Sequence, residues 1–197
     1  MIEVCDKIFS NFNNMDLAGF NLVNHTLHNS VLNKFMPFLS NAGGGGLIWI
    51  IISLILFATG RPAVRKTAFL MLVAVLASYL TGECFKHLFQ RLRPFETLPG
   101  VELLVKPIHS FSFPSEHAAN AFAAGLVLMR KLPRLAWFFF LLAVAMAFSR
   151  VYVGVHYPSD VLAGSLLGLA CGALVLKYEN YFFRKNWGWQ QENWRKY

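Results

Sequence analysis

Long stretches without a single charge, separated by short basic turns, constrain this chain more than any other feature. Phe35 to Gly60 contains no charged residue and has Leu47-Ile48-Trp49-Ile50-Ile51-Ile52 at its centre; Thr67 to Gly82 is a second such run. A hydrocarbon layer about 30 Å thick needs roughly 20 apolar helical residues to cross it, so these runs predict an all-α, polytopic membrane bundle. Composition agrees. Of 197 residues, 56% are hydrophobic and 14% charged, against about 25% charged in an ordinary soluble domain.

The first span is predicted over Gly44 to Thr59, stopped by Arg61-Pro62. The second begins at Thr67, and its continuation to Phe89 gives about 34 Å at 1.5 Å per residue, with Glu83 and Lys86 one turn apart near its end. Residues 90–113 contain Pro94, Pro99, Gly100 and Pro107 and lack a helical period, which predicts a long loop covering a site. Further helices are expected from Pro114 to Arg130, from Leu135 to Ser149 after a tight Lys131-Leu132-Pro133-Arg134 turn, and from Pro158 to Leu176. Ahead of them, Leu17, Phe20, Leu22, Val23, Leu27, Val31, Leu32 and Phe35 mix with Asn and His at roughly helical spacing. That pattern predicts an N-terminal interfacial helix, with a sixth span as the rival. The expectation is one membrane-embedded domain over residues 1–197 with five or six transmembrane helices. Gly43-Gly44-Gly45-Gly46 reads as a hinge or close-packing site; no strand precedes it and no Lys-Ser/Thr follows it, so it is not a phosphate loop.

The net charge of +8 comes from 18 Lys and Arg against 10 Asp and Glu. Its placement excludes a nucleic-acid groove: the cations flank apolar runs and fill a tail with Trp187, Trp189 and Trp194, the pattern of a membrane-surface anchor. Cys5, Cys84 and Cys171 have neither disulfide nor zinc spacing. The polar stretch from Met1 to about Asp16 does not resemble a cleaved signal peptide, so insertion is expected to use an internal helix. Alternation puts Arg61, Arg65 and Lys66, then Arg130, Lys131 and Arg134, then Lys177, Arg184 and Lys185 on one side, which the positive-inside rule makes cytoplasmic.

Three polar clusters fall at the opposite helix ends: Lys86 with Arg93-Pro94; Pro114-Ser115-Glu116-His117; and Ser149-Arg150 with His156 and Asp160. Basic side chains gathered near a membrane face repel one another unless an anion joins them, and the planar fork of Arg matches phosphate oxygens. Pro114-Ser115-Glu116 opens a helix whose free N–H groups attract an anion, and Ser115 adds either a hydroxyl donor or a local cap. His117 is placed to give a proton to a leaving group. Asp160, four residues after His156 across a helix start, is spaced to reach one ring nitrogen and leave the other as a nucleophile. His25, His28, His87 and His109 have no comparable setting.

The ordered set Lys86 to Pro94, Pro114 to His117 and Ser149 to Asp160 resembles the three-part signature of the type 2 phosphatidic acid phosphatase superfamily. The resemblance implies a metal-independent lipid phosphatase without cofactor, acting on a lipid phosphate among membrane lipids. It implies His156 as the nucleophile that forms a phosphohistidine, Asp160 as its orienting partner, His117 as general acid, and Lys86, Arg93, Ser115 and Arg150 as phosphate ligands. Glu116, also in the phosphate-binding set, departs from the pattern, which usually has Gly there. An acidic residue at that position resembles the small bacterial undecaprenyl-diphosphate phosphatases and favours undecaprenyl diphosphate, with phosphatidylglycerophosphate or phosphatidate as alternatives. A soluble vanadium haloperoxidase and a non-catalytic lipid-binding or transport protein are more distant readings. The expected location is the bacterial plasma membrane with the site on the extracytoplasmic face.

Overall fold

The computed structural model describes residues 13–59 and 61–183, and all regular structure among them is helical. Helix α1 covers residues 13–21 and widens into a π turn at Leu22–Thr26. It is followed by α2 (Leu32–Ala42), α3 (Leu47–Ala58), α4 (Pro62–Phe89), α5 (Pro94–Thr97), α6 (Glu116–Lys131), α7 (Ala136–Tyr152), α8 (Pro158–Lys177) and α9 (Glu179–Phe183). Proline opens α4, α5 and α8, at the helical position where a missing N–H leaves no bond unmade. Cys5 and the tryptophan-bearing tail lie outside the described residues.

Three described stretches are long and apolar enough to cross a membrane: Pro62–Thr97, Pro133–Tyr152 and Pro158–Lys177. The pair Leu32–Ala42 and Gly44–Ala58, bent by 56°, makes a fourth if it acts as one span. Two of the expected spans lie close to where they were predicted but are too short to cross a bilayer alone. Helix α3 has only 12 residues, about 18 Å, and needs α2 to reach across a bilayer. Helix α6 has 16 residues, about 24 Å, and sits at the centre of the bundle against α4, α7 and α8. The four-glycine run is the bend itself, with φ of 57° at Gly45 and 74° at Gly46, a region that glycine enters without the Cβ penalty.

The segment expected as one interfacial helix is two helices. Residues 27–31 break it, and α1 turns Phe20 and Asn24 into the protein. Asn24 Nδ2 donates to the carbonyls of Glu102 (3.0 Å) and Tyr152 (2.9 Å), which ties α1 to the covering loop and to the end of α7.

The α6–α8 seam is built on glycine and alanine. A Cβ placed at Gly168 would stand 2.1 Å from the Ala119 carbonyl oxygen, and one at Gly164 would stand 2.3 Å from that of Ser115. Spaced four apart, Gly164, Gly168 and Gly172 form one face of α8, against which alanine-rich α6 lays its backbone. Large side chains point outward instead, among them Leu54 and Ile55 on α3, Trp137 and Leu141 on α7, and Leu162 and Leu166 on α8. At the basic end Lys66 and Lys131 converge on Glu179, at 3.5 and 2.5 Å.

Candidate active site

At the other end of the bundle the three sequence clusters meet, and each pair of clusters shares a hydrogen bond. Arg93 Nη1 lies 3.2 Å from His156 Nε2. Lys86 Nζ donates to Glu116 Oε2 at 2.9 Å. The Ser115 amide donates to the Asp160 carbonyl at 2.9 Å, across the glycine seam.

His156 stands in the turn between α7 and α8. Gly154 takes a φ of 84° there, a left-handed conformation suited to glycine. The chain folds back so that the Val155 and His156 amides both donate to the Arg150 carbonyl, at 3.2 and 3.3 Å. Asp160 sits in the first turn of α8, where its Oδ2 accepts the Tyr157 amide at 2.9 Å and so fixes the helix start. The same oxygen accepts the Ser112 hydroxyl and lies 3.5 Å from His156 Nδ1. This leaves Nε2 turned toward Arg93. Burial first of all, with Arg93 and Arg150 alongside, pushes His156 down to about 3 against the opposing pull of Asp160, so its ring is neutral at ordinary pH.

Two guanidinium groups flank this ring and are held differently. Arg93 is buried and spends its fork on the protein: Nε donates to the Ser110 carbonyl (2.7 Å), Nη1 to the Val155 carbonyl (2.9 Å), and Nη2 to Ser110 Oγ (3.0 Å) and the Phe111 carbonyl (3.2 Å). Residues 90–113 thus cover the site as expected, apart from the one helical turn α5. Arg150, equally buried, donates Nη1 to the Ser40 hydroxyl, while Nε and Nη2 have no hydrogen-bond partner among the described residues. Ser115 Oγ, at the N-cap of α6, is also buried without one. Buried donors of this kind cost about 1–3 kcal/mol each when unpaired, and more when charged, so an anion reaching them would complete their hydrogen bonding.

Lys86 is buried at the end of α4 between two carboxylates, 2.6 Å from Glu83 and 2.9 Å from Glu116. The charge of Glu116 is therefore met by a cation. His117 follows on the first turn of α6, within the electrostatic reach of Arg150, His156, Lys86 and Arg93. Its ring lies against the hinge, where a Cβ on Gly43 would stand 2.9 Å from His117 Cδ2. All eight residues singled out in the sequence fall in this one region.

Sequence reasoning missed Ser40, Arg91 and Ser112, and it noted Glu83 beside Lys86 and Gly43 in a hinge without placing either at the site. Glu83 had a signal, one turn before Lys86 on the same face, and Arg91 lies inside the first cluster; Ser40, Gly43 and Ser112 are brought in by tertiary packing. No group of three or more His, Cys, Asp or Glu side chains among the described residues could hold a metal ion.

Residues 67–184 match the family model described as the PAP2 superfamily. The chain is similar to an undecaprenyl-diphosphatase of Sulfolobus acidocaldarius, 33% identical over 162 residues, covering 82% of this chain and 77% of the relative. It is also similar to phosphatidylglycerophosphatase B of Bacillus subtilis, 32% identical over 161 residues and 75% of each chain. Among solved structures, Aquifex aeolicus LpxE superposes with a TM-score of 0.73 at 31% identity, over 83% of this chain and 96% of that one.

Proposed function

The chain belongs to the PAP2 superfamily and is an integral membrane lipid phosphatase, and we propose that it cleaves the terminal phosphate of undecaprenyl diphosphate through a phosphohistidine on His156. The observation that carries this reading is the pairing of an oriented, neutral imidazole with buried, unpartnered Arg150 and Ser115 donors in one site. Neutral Nε2 attacks phosphorus. As the P–N bond forms and the P–O bond to the lipid phosphate breaks, the leaving oxygen takes a proton from His117. Asp160 stabilises the positive ring that results, the role such a carboxylate plays in other triads. Arg150, Ser115 and the first-turn amides of α6 hold the equatorial oxygens, where preorganised donors are worth most, while Arg93, its fork already taken by Ser110, Phe111 and Val155, adds its positive charge beside His156. Water, deprotonated by His117, then attacks the phosphohistidine, releasing inorganic phosphate and restoring His156.

The diphosphate is supported by the acidic residue Glu116 and by the name of the Sulfolobus relative. The name of the Bacillus relative favours phosphatidylglycerophosphate as a second reading. We place the site on the extracytoplasmic face, because the Lys66, Lys131 and Glu179 cluster lies at the other end of the bundle.

Purified protein incubated with a panel of lipid phosphates and diphosphates in the presence of EDTA tests the reading. Phosphate release is expected to be fastest from undecaprenyl diphosphate, undiminished by chelation and blocked by vanadate. Activity lost in EDTA and restored by Mg²⁺ removes the mechanism. A preference for phosphatidylglycerophosphate leaves the mechanism standing and replaces the substrate.

A further inference from the structure

Only one oxygen of Asp160 is used by the histidine. The other, Oδ1, accepts Arg91 Nη1 at 2.6 Å. Arg91 belongs to none of the phosphate-ligand positions, and its second nitrogen, Nη2, is taken at 2.6 Å by Asp16 Oδ2 of α1. Asp16 is buried and also grips the start of α8: Oδ1 accepts the Ser159 amide at 2.8 Å and Oδ2 the Ser159 hydroxyl at 2.5 Å. That hydroxyl in turn accepts Arg91 Nη1 at 2.7 Å. The guanidinium is fixed from below by the Tyr157 ring, 3.9 Å from its centroid, and Phe20 of α1 packs on the same ring at 5.9 Å. Gly19 brings the α1 backbone onto Pro158, whose Cγ would lie 3.2 Å from a Cβ there.

Two buried carboxylates so close would repel each other, and one would take up a proton or turn away, unless a cation stood between them. Arg91 stands there, with one nitrogen on each. We propose that Asp16 and Arg91 are positioning residues for the phosphoryl transfer, holding Asp160 ionised and in a single orientation against His156, so that the N-terminal helix is part of the catalytic apparatus. The proposal rests on the reading of His156 as nucleophile and of Asp160 as its partner. It gives α1 a function that covering the bundle would not require, because a hydrophobic side chain at Asp16 would pack as well without a buried charge.

Full-length Arg91→Met, Asp16→Asn, the double variant and Arg91→Lys are compared by rapid-quench measurement of phosphoenzyme formation. Rates are normalised to the burst amplitude, so that only folded enzyme is counted. Arg91→Met is expected to slow phosphoenzyme formation about tenfold to a hundredfold, the usual range for partners that orient a reacting group, with KM changed less than about twofold. Asp16→Asn is expected to cost about tenfold alone and almost nothing in the Arg91→Met background, because it acts through Arg91. Arg91→Lys, which keeps the charge but not the fork, is expected to recover part of the loss. Effects that multiply in the double variant, or single variants that lower Tm and leave the normalised rate intact, overturn the positioning role. His156→Ala and Asp160→Asn serve as references: if those two still form phosphoenzyme at a normal rate, the fault lies in the underlying mechanism and not in the relay.

Discussion

His156 and Arg150 are joined by a backbone hydrogen bond in one turn of the chain, yet the surroundings of the two side chains differ. Around His156 each polar atom has a protein partner: Nδ1 faces Asp160, Nε2 faces Arg93, and Asp160 is itself held by Tyr157, Ser112 and Arg91. Around Arg150 the guanidinium reaches Ser40 and stops, leaving two buried nitrogens without a partner among the described residues, as is the Ser115 hydroxyl. On the mechanism proposed above, His156 is oriented before substrate arrives, whereas the donors of Arg150 and Ser115 are completed by the phosphate. On that mechanism, folding stability held back at Arg150 and Ser115 would reappear as binding when charge develops on the transferring group.

The largest test of this contrast is His156→Ala. Phosphoenzyme should vanish and kcat fall by roughly 10⁴ or more, the scale seen when a member of a catalytic triad is lost; near-normal turnover would exclude His156 as nucleophile. Arg150→Ala should cost about 10²–10³ in kcat, the range for removing one preorganised donor, and should also raise Tm, because an unpaired buried cation is gone. Arg93→Ala should lower Tm, because its partners Ser110, Phe111 and Val155 are left unsatisfied. Equal Tm shifts for the two arginines would erase the distinction between receptor and scaffold.

A smaller effect concerns Glu116. Removing the carboxylate in Glu116→Gly frees Lys86 from one of its two partners, and the ratio of kcat/KM for undecaprenyl diphosphate over phosphatidate should change severalfold, where about 1.4 kcal/mol corresponds to tenfold. An unchanged ratio would make the ion pair structural. The mildest test is titration. The His156 ring resonance should show no protonation between pH 8 and 5, because the folded value is about 3 against an ordinary 6.5. The unfolded chain binds a proton that the folded one refuses, so this residue costs stability as pH falls from 6.5 toward 3. A ring titrating near 6.5 would mean that the nucleophile side is not desolvated.

The three clusters were legible because phosphate chemistry demands particular side chains at helix ends, and because Pro62 and Pro158 open their helices visibly. The partners of those side chains were not legible. Asp16 meets Arg91 only after α1 has folded over the start of α8, and Ser40 meets Arg150 only because the glycine hinge turns α2 back toward α7. Nothing local in the sequence encodes either meeting. Glu116 looked anomalous because its cation, Lys86, is remote in the chain. The helices fell close to where they were predicted, but α3 and α6 are too short to cross a bilayer alone: apolar composition records burial and cannot distinguish burial in lipid from burial among other helices. The period-four glycines of α8 were a signal that went unread.

Those glycines carry a consequence for how the protein tolerates mutation. Most membrane helices meet through side chains, so a wrong residue at the contact can be absorbed by repacking, and fitness declines gradually. Where the Ala119 and Ser115 carbonyls already lie within contact of bare α carbons on α8, nothing is available to repack, and even one added methyl group must move a whole helix. Since α6 carries His117 at its tip and α8 carries Asp160, that displacement would reach the groups proposed to carry the reaction. A conservative-looking Gly168→Ala change, well down the helix from the chemistry, should therefore register as a loss of enzyme rather than a loss of fold, and Gly164 and Gly168 form a cliff in an otherwise forgiving apolar landscape.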